Sequence, residues 1–259
     1  MAERDSIRNT FTVALSVALL CSILVAGAAV LLKPRQEANE REFRQRTVLQ
    51  VAGLYEPGAD PGALFERIEL RLVDLDSGSY VDEPDARGFD PVAAASDPAY
   101  AVAIPAEFDV AGIGRRARYG PVFLVRERGA LRQIILPVYG AGLWSTMYAY
   151  LALEPDGKTV AALRFYEHAE TPGLGDQVDR SDWRDQWAGK QLFDADGGVR
   201  IEVVRGQVQP GPQAVHQVDG LSGATLTGRG VTNLLRYWTG PHGYGPWLER
   251  YREEAGSYD

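Results

Sequence analysis

Asn9 to Leu32 form an uninterrupted run of 24 residues with no charged side chain, dominated by Ala, Val, Leu and Ile. As a helix the run spans ~36 Å at ~1.5 Å per residue, enough to cross a bilayer, whose interior accepts only backbones with internally closed hydrogen bonds. One membrane-crossing helix near the N-terminus is the first expectation. A cleaved signal peptide competes with it, because Arg4 and Arg8 give a basic start, Phe11 to Val25 an apolar region and Ala26-Gly27-Ala28 a small-residue cleavage pattern. The apolar continuation through Val30-Leu31-Leu32, closed by Lys33-Pro34-Arg35, favours a retained anchor. Orientation is harder to read. Arg4 and Arg8 precede the span, while Lys33, Arg35, Arg41, Arg44 and Arg46 follow it, a count that favours a cytoplasmic body. Large domains cross membranes largely regardless of that count.

Beyond the span, Arg35 to Leu54 is charged and proline-free, with Phe43, Val48, Leu49, Val51 and Leu54 spaced as one apolar helix face. The remaining length suffices for one sizeable globular domain. A net charge of -8, from 27 Lys and Arg against 35 Asp and Glu, repels a phosphate backbone, so no nucleic-acid partner is expected. The single cysteine, Cys21, lies in the apolar run and excludes an intrachain disulfide.

Short apolar or alternating segments bounded by Gly, Pro and Asp read as strands. They are Ile68 to Asp74, Ala99 to Ile104, Val122 to Arg126, Leu131 to Val138, Met147 to Leu153, Val160 to Glu167 and Arg200 to Val204. Glu154-Pro155-Asp156-Gly157 is a turn signal that makes Met147 to Arg164 a hairpin. Asp76 to Pro98, rich in Asp, Pro, Gly and Ala, reads as a surface excursion, and helices are expected at Asp179 to Trp187 and Thr227 to Trp238. The expected fold class is α+β, with a mainly antiparallel sheet and flanking helices.

The stretch with most chemistry is Asp219-Gly220-Leu221-Ser222-Gly223-Ala224-Thr225. A threonine hydroxyl that attacks a phosphate needs small neighbours and backbone freedom, which Gly220, Gly223 and Ala224 provide. Thr225 lies just before the expected helix start near Thr227, where free amides favour an anion. Asp219 has two readings, a cap for the turn or a group orienting a metal-assisted donor. By spacing alone, an ordinary Ser/Thr cap after a glycine turn is the favoured explanation of the pattern.

Two further stretches, Gly140-Ala141-Gly142-Leu143-Trp144-Ser145 and His168-Ala169-Glu170-Thr171-Pro172-Gly173-Leu174-Gly175, precede the heptapeptide. Together the three, in this order, resemble the FMN-binding subunits of two related membrane redox complexes. The nearer resemblance is to the C-subunit family of the sodium-translocating NADH:quinone reductase, the more distant to the G subunit of the Rnf electron-transport complex. The resemblance implies FMN esterified through its phosphate to Thr225, installed by a separate flavin transferase that uses FAD and magnesium. It implies a cytoplasmic N-terminus at 1–8, a membrane helix at 9–32, a connecting helix at 33–54 and a periplasmic FMN-binding domain at 55–259. That places a single-pass protein in the bacterial inner membrane, with the other subunits of the complex as partners. Single electrons pass through it as part of a chain from NADH to ubiquinone coupled to sodium export. Such a subunit is an electron-transfer component and not a catalyst by itself, so no catalytic and no metal-ligating set is expected. The outward body opposes the basic-residue count, and the family reading is preferred because that count is weakest for a large domain.

The expected cofactor-binding residues, carried over by resemblance, are Ser222, Gly223, Ala224 and Thr225, then Leu143, Trp144 and Ser145, then Glu170, Thr171, Gly173 and Leu174, with Lys190 as a cation for the phosphodiester. Trp144 and Leu174 are apolar packing for the ring and Thr171 a polar contact. Trp144 after Gly-Leu reads equally as a core residue, Glu170-Thr171 before Pro172 as a plain turn, and Lys190 as a solvated side chain. His168 is either a proton donor to the flavin or a structural histidine. Two other classes stand beside the carrier: a free-standing flavoenzyme, for which no acid/base cluster is visible, and a colourless assembly module.

Overall fold

The computed structural model describes residues 7–256; Arg4, one of the two basic residues ahead of the apolar run, lies outside them. The chain divides into two compact units, the first ending at Gln45 and the second beginning at Arg46. Helix α1 (Ile7–Val51) runs through the apolar stretch without a break at Pro34, where the sequence suggests a boundary. A proline removes one intrahelical hydrogen bond, and here strong helix formers on both sides hold the geometry. The helix stops at Val51, short of the expected Leu54, whose N–H turns back to the Leu49 carbonyl at 2.8 Å.

In the second unit the elements run α2 (Pro61–Phe65), β1 (Glu69–Asp74), β2 (Tyr80–Val81), α3 (Pro91–Ala94), β3 (Ala101–Ala103), β4 (Arg115–Ala117), β5 (Tyr119–Glu127), β6 (Ala130–Ala141), β7 (Thr146–Leu153), β8 (Val160–Glu167), α4 (Ser181–Arg184), β9 (Glu202–Val203), β10 (Gln217–Val218), α5 (Thr225–Thr239) and α6 (Gly245–Gly256). Among the described residues six strands form one antiparallel sheet in the order β2-β1-β5-β6-β7-β8. The β7–β8 hairpin closes at the expected turn, pairing Leu153 with Val160. The excursion from Asp76 to Pro98 is not wholly irregular, since it supplies edge strand β2 and the turn of α3, capped by the Asp90 carboxylate.

Alternation along the strands explains why they read as nearly continuous apolar runs. Val122, Leu124, Ile134, Leu136, Ala149 and Leu151 enter one core, under α5, while Phe123, Val125, Ile135, Tyr150 and Ala152 enter a second. The second core is closed by Val48, Leu49, Val51 and Ala52 from the end of α1 together with Phe65 and Ile68. Both faces of the sheet are thus covered, and period 2 assigns residues to alternate sides.

On the first face, Trp238 of α5 donates to the Tyr139 carbonyl at 2.6 Å, and Tyr244, just before α6, donates to the Pro121 carbonyl at 3.0 Å. These bonds seat both helices on β5 and β6. The segment expected as one helix, Asp179 to Trp187, is three pieces: a 3-10 turn Gly175–Asp179, α4, and a 3-10 turn Asp185–Trp187. Arg180, in extended backbone with ψ 135°, breaks it, and the breaks let Trp183 and Trp187 both point inward and meet edge to face at 5.4 Å.

Candidate functional site

The β6–β7 turn carries Leu143, Trp144 and Ser145, the chain after β8 carries Glu170 to Leu174, and the start of α5 carries Thr225. One side chain joins all three. The Glu170 carboxylate, only 5% exposed, accepts the N–H groups of Leu143 at 2.8 Å and Trp144 at 3.3 Å on Oε1, and the Thr227 hydroxyl donates to Oε2. Glu170, expected among the flavin contacts, therefore spends its carboxylate on the protein itself. Gly142 and Gly175 pack against it so closely that a Cβ added to the first would overlap Oε1 and one added to the second would lie 2.7 Å from Oε2.

Secondary bonds complete the bracket. The Trp144 indole donates to Thr171 Oγ1 at 2.9 Å, and Ser145 Oγ accepts from the Ala169 N–H at 2.9 Å. Gln177 donates to the carbonyls of Leu174 and Ser222, at 2.6 and 2.9 Å, tying the second motif to the heptapeptide. At Gly223, where φ is +72°, a Cβ would lie 2.9 Å from the Leu174 side chain, so this turn admits only glycine without strain. Asp219 acts within the turn: its carboxylate accepts the Val208 N–H at 2.7 Å and its carbonyl accepts the Trp183 indole N–H at 2.8 Å.

Helix α5 begins at Thr225, earlier than the sequence indicates. Ala224 at the cap has no side-chain acceptor, so the first-turn amides are left available to an anion. Thr225 is exposed, and its hydroxyl has no partner among the described residues. Ser222 and Gly223 are exposed beside it, and Ala224 is buried. The three segments that Glu170 and Gln177 tie together carry exposed apolar side chains: Trp144 at 69%, Leu226 at 53%, Leu174 at 43% and Leu143 at 42%. Trp144 is therefore not a core residue. A free hydroxyl in the first turn of α5, tied through Glu170 to a loop with exposed aromatic and aliphatic side chains, has the groups to hold a phosphate-bearing molecule with a flat apolar ring.

The heptapeptide also borders a cavity of about 1140 Å³, whose walls include Asp219, Ser222, Gly223, Thr225 and Leu226. Lys190 is not in those walls; its ammonium donates to the Ala214 carbonyl at 2.9 Å. The arginines that are in them, Arg180, Arg205, Arg229 and Arg236, drew no notice in the sequence because nothing there connects them to Thr225 except the i, i+4 spacing of Arg229.

His168 has Nε2 2.9 Å from Asp179 Oδ2, and its Nδ1 accepts the Glu170 N–H at 3.2 Å. The Asp179 carboxylate holds the imidazole pKa above its ordinary 6.5 against the opposing effect of burial. A raised value in the folded state means that this pair's contribution to stability is complete below about pH 6.5 and is lost as pH rises through the folded value. The contribution is small because Asp179 is half exposed. Asp179→Asn is expected to move the His168 ring-proton titration, followed by NMR, to lower pH; an unmoved titration would refute the pairing.

Residues 142–240 match the family model described as an FMN-binding domain. Over 258 residues the chain is 49% identical to the C subunit of the Na(+)-translocating NADH-quinone reductase of Pseudomonas aeruginosa, covering 98% of this chain and 99% of the relative. It is 45% identical over 253 residues to the same subunit of Neisseria meningitidis, covering 96% of each. The crystal structure of Shewanella oneidensis NqrC superposes with a TM-score of 0.77 at 36% identity, over 83% of this chain and 99% of that one. Identity at this level along nearly the whole length, together with the shared fold, shows that the chain belongs to the C-subunit family of the Na(+)-translocating NADH-quinone reductase.

Proposed function

We propose that this chain is the FMN-carrying C subunit of a sodium-translocating NADH:quinone reductase, that the FMN phosphate is esterified to Thr225, and that the subunit relays single electrons between its neighbours. Bound there, FMN supplies one-electron redox chemistry. The observation that carries the reading is the exposed Thr225 hydroxyl in the first turn of α5, without a protein partner among the described residues, on a helix that Glu170 ties to the loop of the exposed Leu143 and Trp144. The residues of the chain have separate tasks. Thr225 would bear the phosphate, the exposed apolar side chains would pack against the ring, and Thr171 holds the indole of Trp144 in place. Glu170 fixes the loop of Leu143 and Trp144 to α5. The ester lies at the ribityl end, far from the ring, so the covalent bond tethers and the noncovalent contacts tune.

The remaining parts of the reading follow from the family. The run from Asn9 to Leu32 anchors the chain in the inner membrane with its body on the outer face, and a separate flavin transferase installs the FMN. The subunit acts with the other subunits and does not turn over substrate alone. The decisive measurement is intact mass after co-expression with a flavin transferase. The expected increment is one FMN less one water, mapped to the peptide containing Thr225; an unmodified mass from material exposed to active transferase refutes the assignment.

Trp144→Ala tests the packing against the ring. It should leave the mass increment in place while shifting the flavin midpoint potential and the visible circular dichroism, because the indole is exposed and its loss costs little folding energy. A potential and dichroism equal to the parent's would remove Trp144 from the ring's contacts.

A further inference from the structure

The cavity beside Thr225 has an uneven charge inventory. Each of its carboxylates is answered locally: Asp182 by Arg180 at 2.6 Å, Glu202 by Arg236 at 3.0 Å and by Gln217 at 2.9 Å, and Asp219 by the Val208 N–H at 2.7 Å. The guanidinium groups of Arg205 and Arg229, both exposed and lining the same cavity, have no hydrogen bond or ion pair among the described residues. Two guanidinium groups are thus left over in one concavity of a protein whose net charge is -8. Arg229 stands one helical turn beyond Thr225, the spacing at which side chains on a helix are neighbours. Leu143, Trp144 and Leu174 are not among the cavity walls, so a ring packed against them leaves this space unfilled.

We propose that this cavity is an anion subsite for the phosphates of the incoming flavin nucleotide, held by Arg229 and Arg205. The inference deepens the reading of Thr225 as the attachment point and depends on it for the identity of the ligand. Such a subsite would act together with the transferase that presents the donor. FMN alone is a monoester with no good leaving group on phosphorus, so the donor must be a phosphoanhydride of FMN. The Thr225 oxygen forms a bond to the FMN phosphorus and loses its proton to solvent or to the transferase. The anhydride P–O bond breaks, and the other phosphate departs with its nucleotide, taking the bonding pair. The attacked phosphate and the departing one both carry negative charge that planar guanidinium groups bind in paired hydrogen bonds. About 1140 Å³ is enough room for a group of nucleotide size. Once attachment is complete, Arg229, one helical turn from Thr225, would serve as a cation for the phosphodiester, the part the resemblance implies for Lys190.

The test uses Arg205→Gln/Arg229→Gln, with Lys158→Gln/Arg128→Gln as a control that removes two exposed positive charges elsewhere. Inorganic pyrophosphate is titrated into the flavin-free full-length chain in detergent, and the rate of flavin attachment by a transferase is followed separately by mass. The expected result is at least a tenfold weakening of pyrophosphate binding and a comparable slowing of attachment in the cavity variant, with the control matching the parent. Equal pyrophosphate binding in the cavity variant and the parent, or no binding to the parent at millimolar concentration, overturns the subsite. The two readings fail separately. Loss of pyrophosphate binding reports on the arginines whether or not flavin ever attaches, and a parent that carries no flavin refutes only the role of Thr225.

Discussion

Thr225→Val is expected to give a chain that folds as the parent does and carries no covalent flavin. Valine keeps the shape of threonine and replaces the hydroxyl with a methyl, and at an exposed position with no side-chain partner such a change is within about 0.5 kcal/mol of neutral. The effect on attachment is total, because no other oxygen occupies that place in the first turn of α5. Ser222 is close in sequence, but it lies before Gly223 and its carbonyl is held by Gln177. Flavin fluorescence on a denaturing gel reads the result, with thermal melting as the control for folding. Thr225→Ser retains the hydroxyl and should retain attachment at a reduced rate. A fluorescent band in the valine variant would move the linkage to another residue and remove the main support for the proposed function.

Glu170→Ala is expected to destabilise the second unit by about 3 kcal/mol, since it removes the acceptor of two backbone N–H groups and one buried hydroxyl. The loss cannot be absorbed by collapse. Gly142 and Gly175 border the carboxylate with no side chains of their own to fill the gap. Glu170→Gln distinguishes charge from geometry, because the amide oxygen can still accept from Leu143 and Trp144 while the Thr227 hydroxyl rotates to accept from the amide nitrogen. It should recover most of the lost stability. Denaturant unfolding of the three proteins measures the difference. A cost below about 1 kcal/mol for the alanine variant would mean that water replaces the carboxylate and that the bracket contributes little.

The parts of the fold that could be read in the chain are those where local pattern and tertiary burial agree. Strands β5 to β8 announce themselves because both faces of the sheet are covered, so nearly every residue is apolar, and Pro155-Asp156-Gly157 marks the turn between the last two. The broken run from Asp179 to Trp187 was illegible for the opposite reason: its polar pattern suits a helix, but burying both Trp183 and Trp187 requires the extended residue at Arg180. Helix α6 escaped notice since its opening Gly245-Pro246 reads as a turn and its last turns are mostly charged. At the site, the three motifs and Thr225 could be picked out by resemblance, whereas the bond network could not. Glu170 lies 27 residues from Leu143 and 57 from Thr227, and no spacing rule links such positions. Lys190 and Arg229 show a different limit: the cation suggested by resemblance, 35 residues before Thr225, bonds to Ala214, while Arg229, only four residues after Thr225, lines the same concavity.

The last turn and a half of α1 has a practical bearing on any attempt to prepare a detergent-free fragment. Thr47, Val48 and Leu49 are as deeply buried as any strand residue, and they cap a sheet face formed by Phe123, Ile135 and Tyr150. Cutting the chain at Tyr55, where the apolar helix pattern gives out, would strip the lid from that face and leave a sticky aromatic and aliphatic sheet in water. The natural scissors mark falls instead ahead of Arg46, within the helix whose apolar face the sequence already displays.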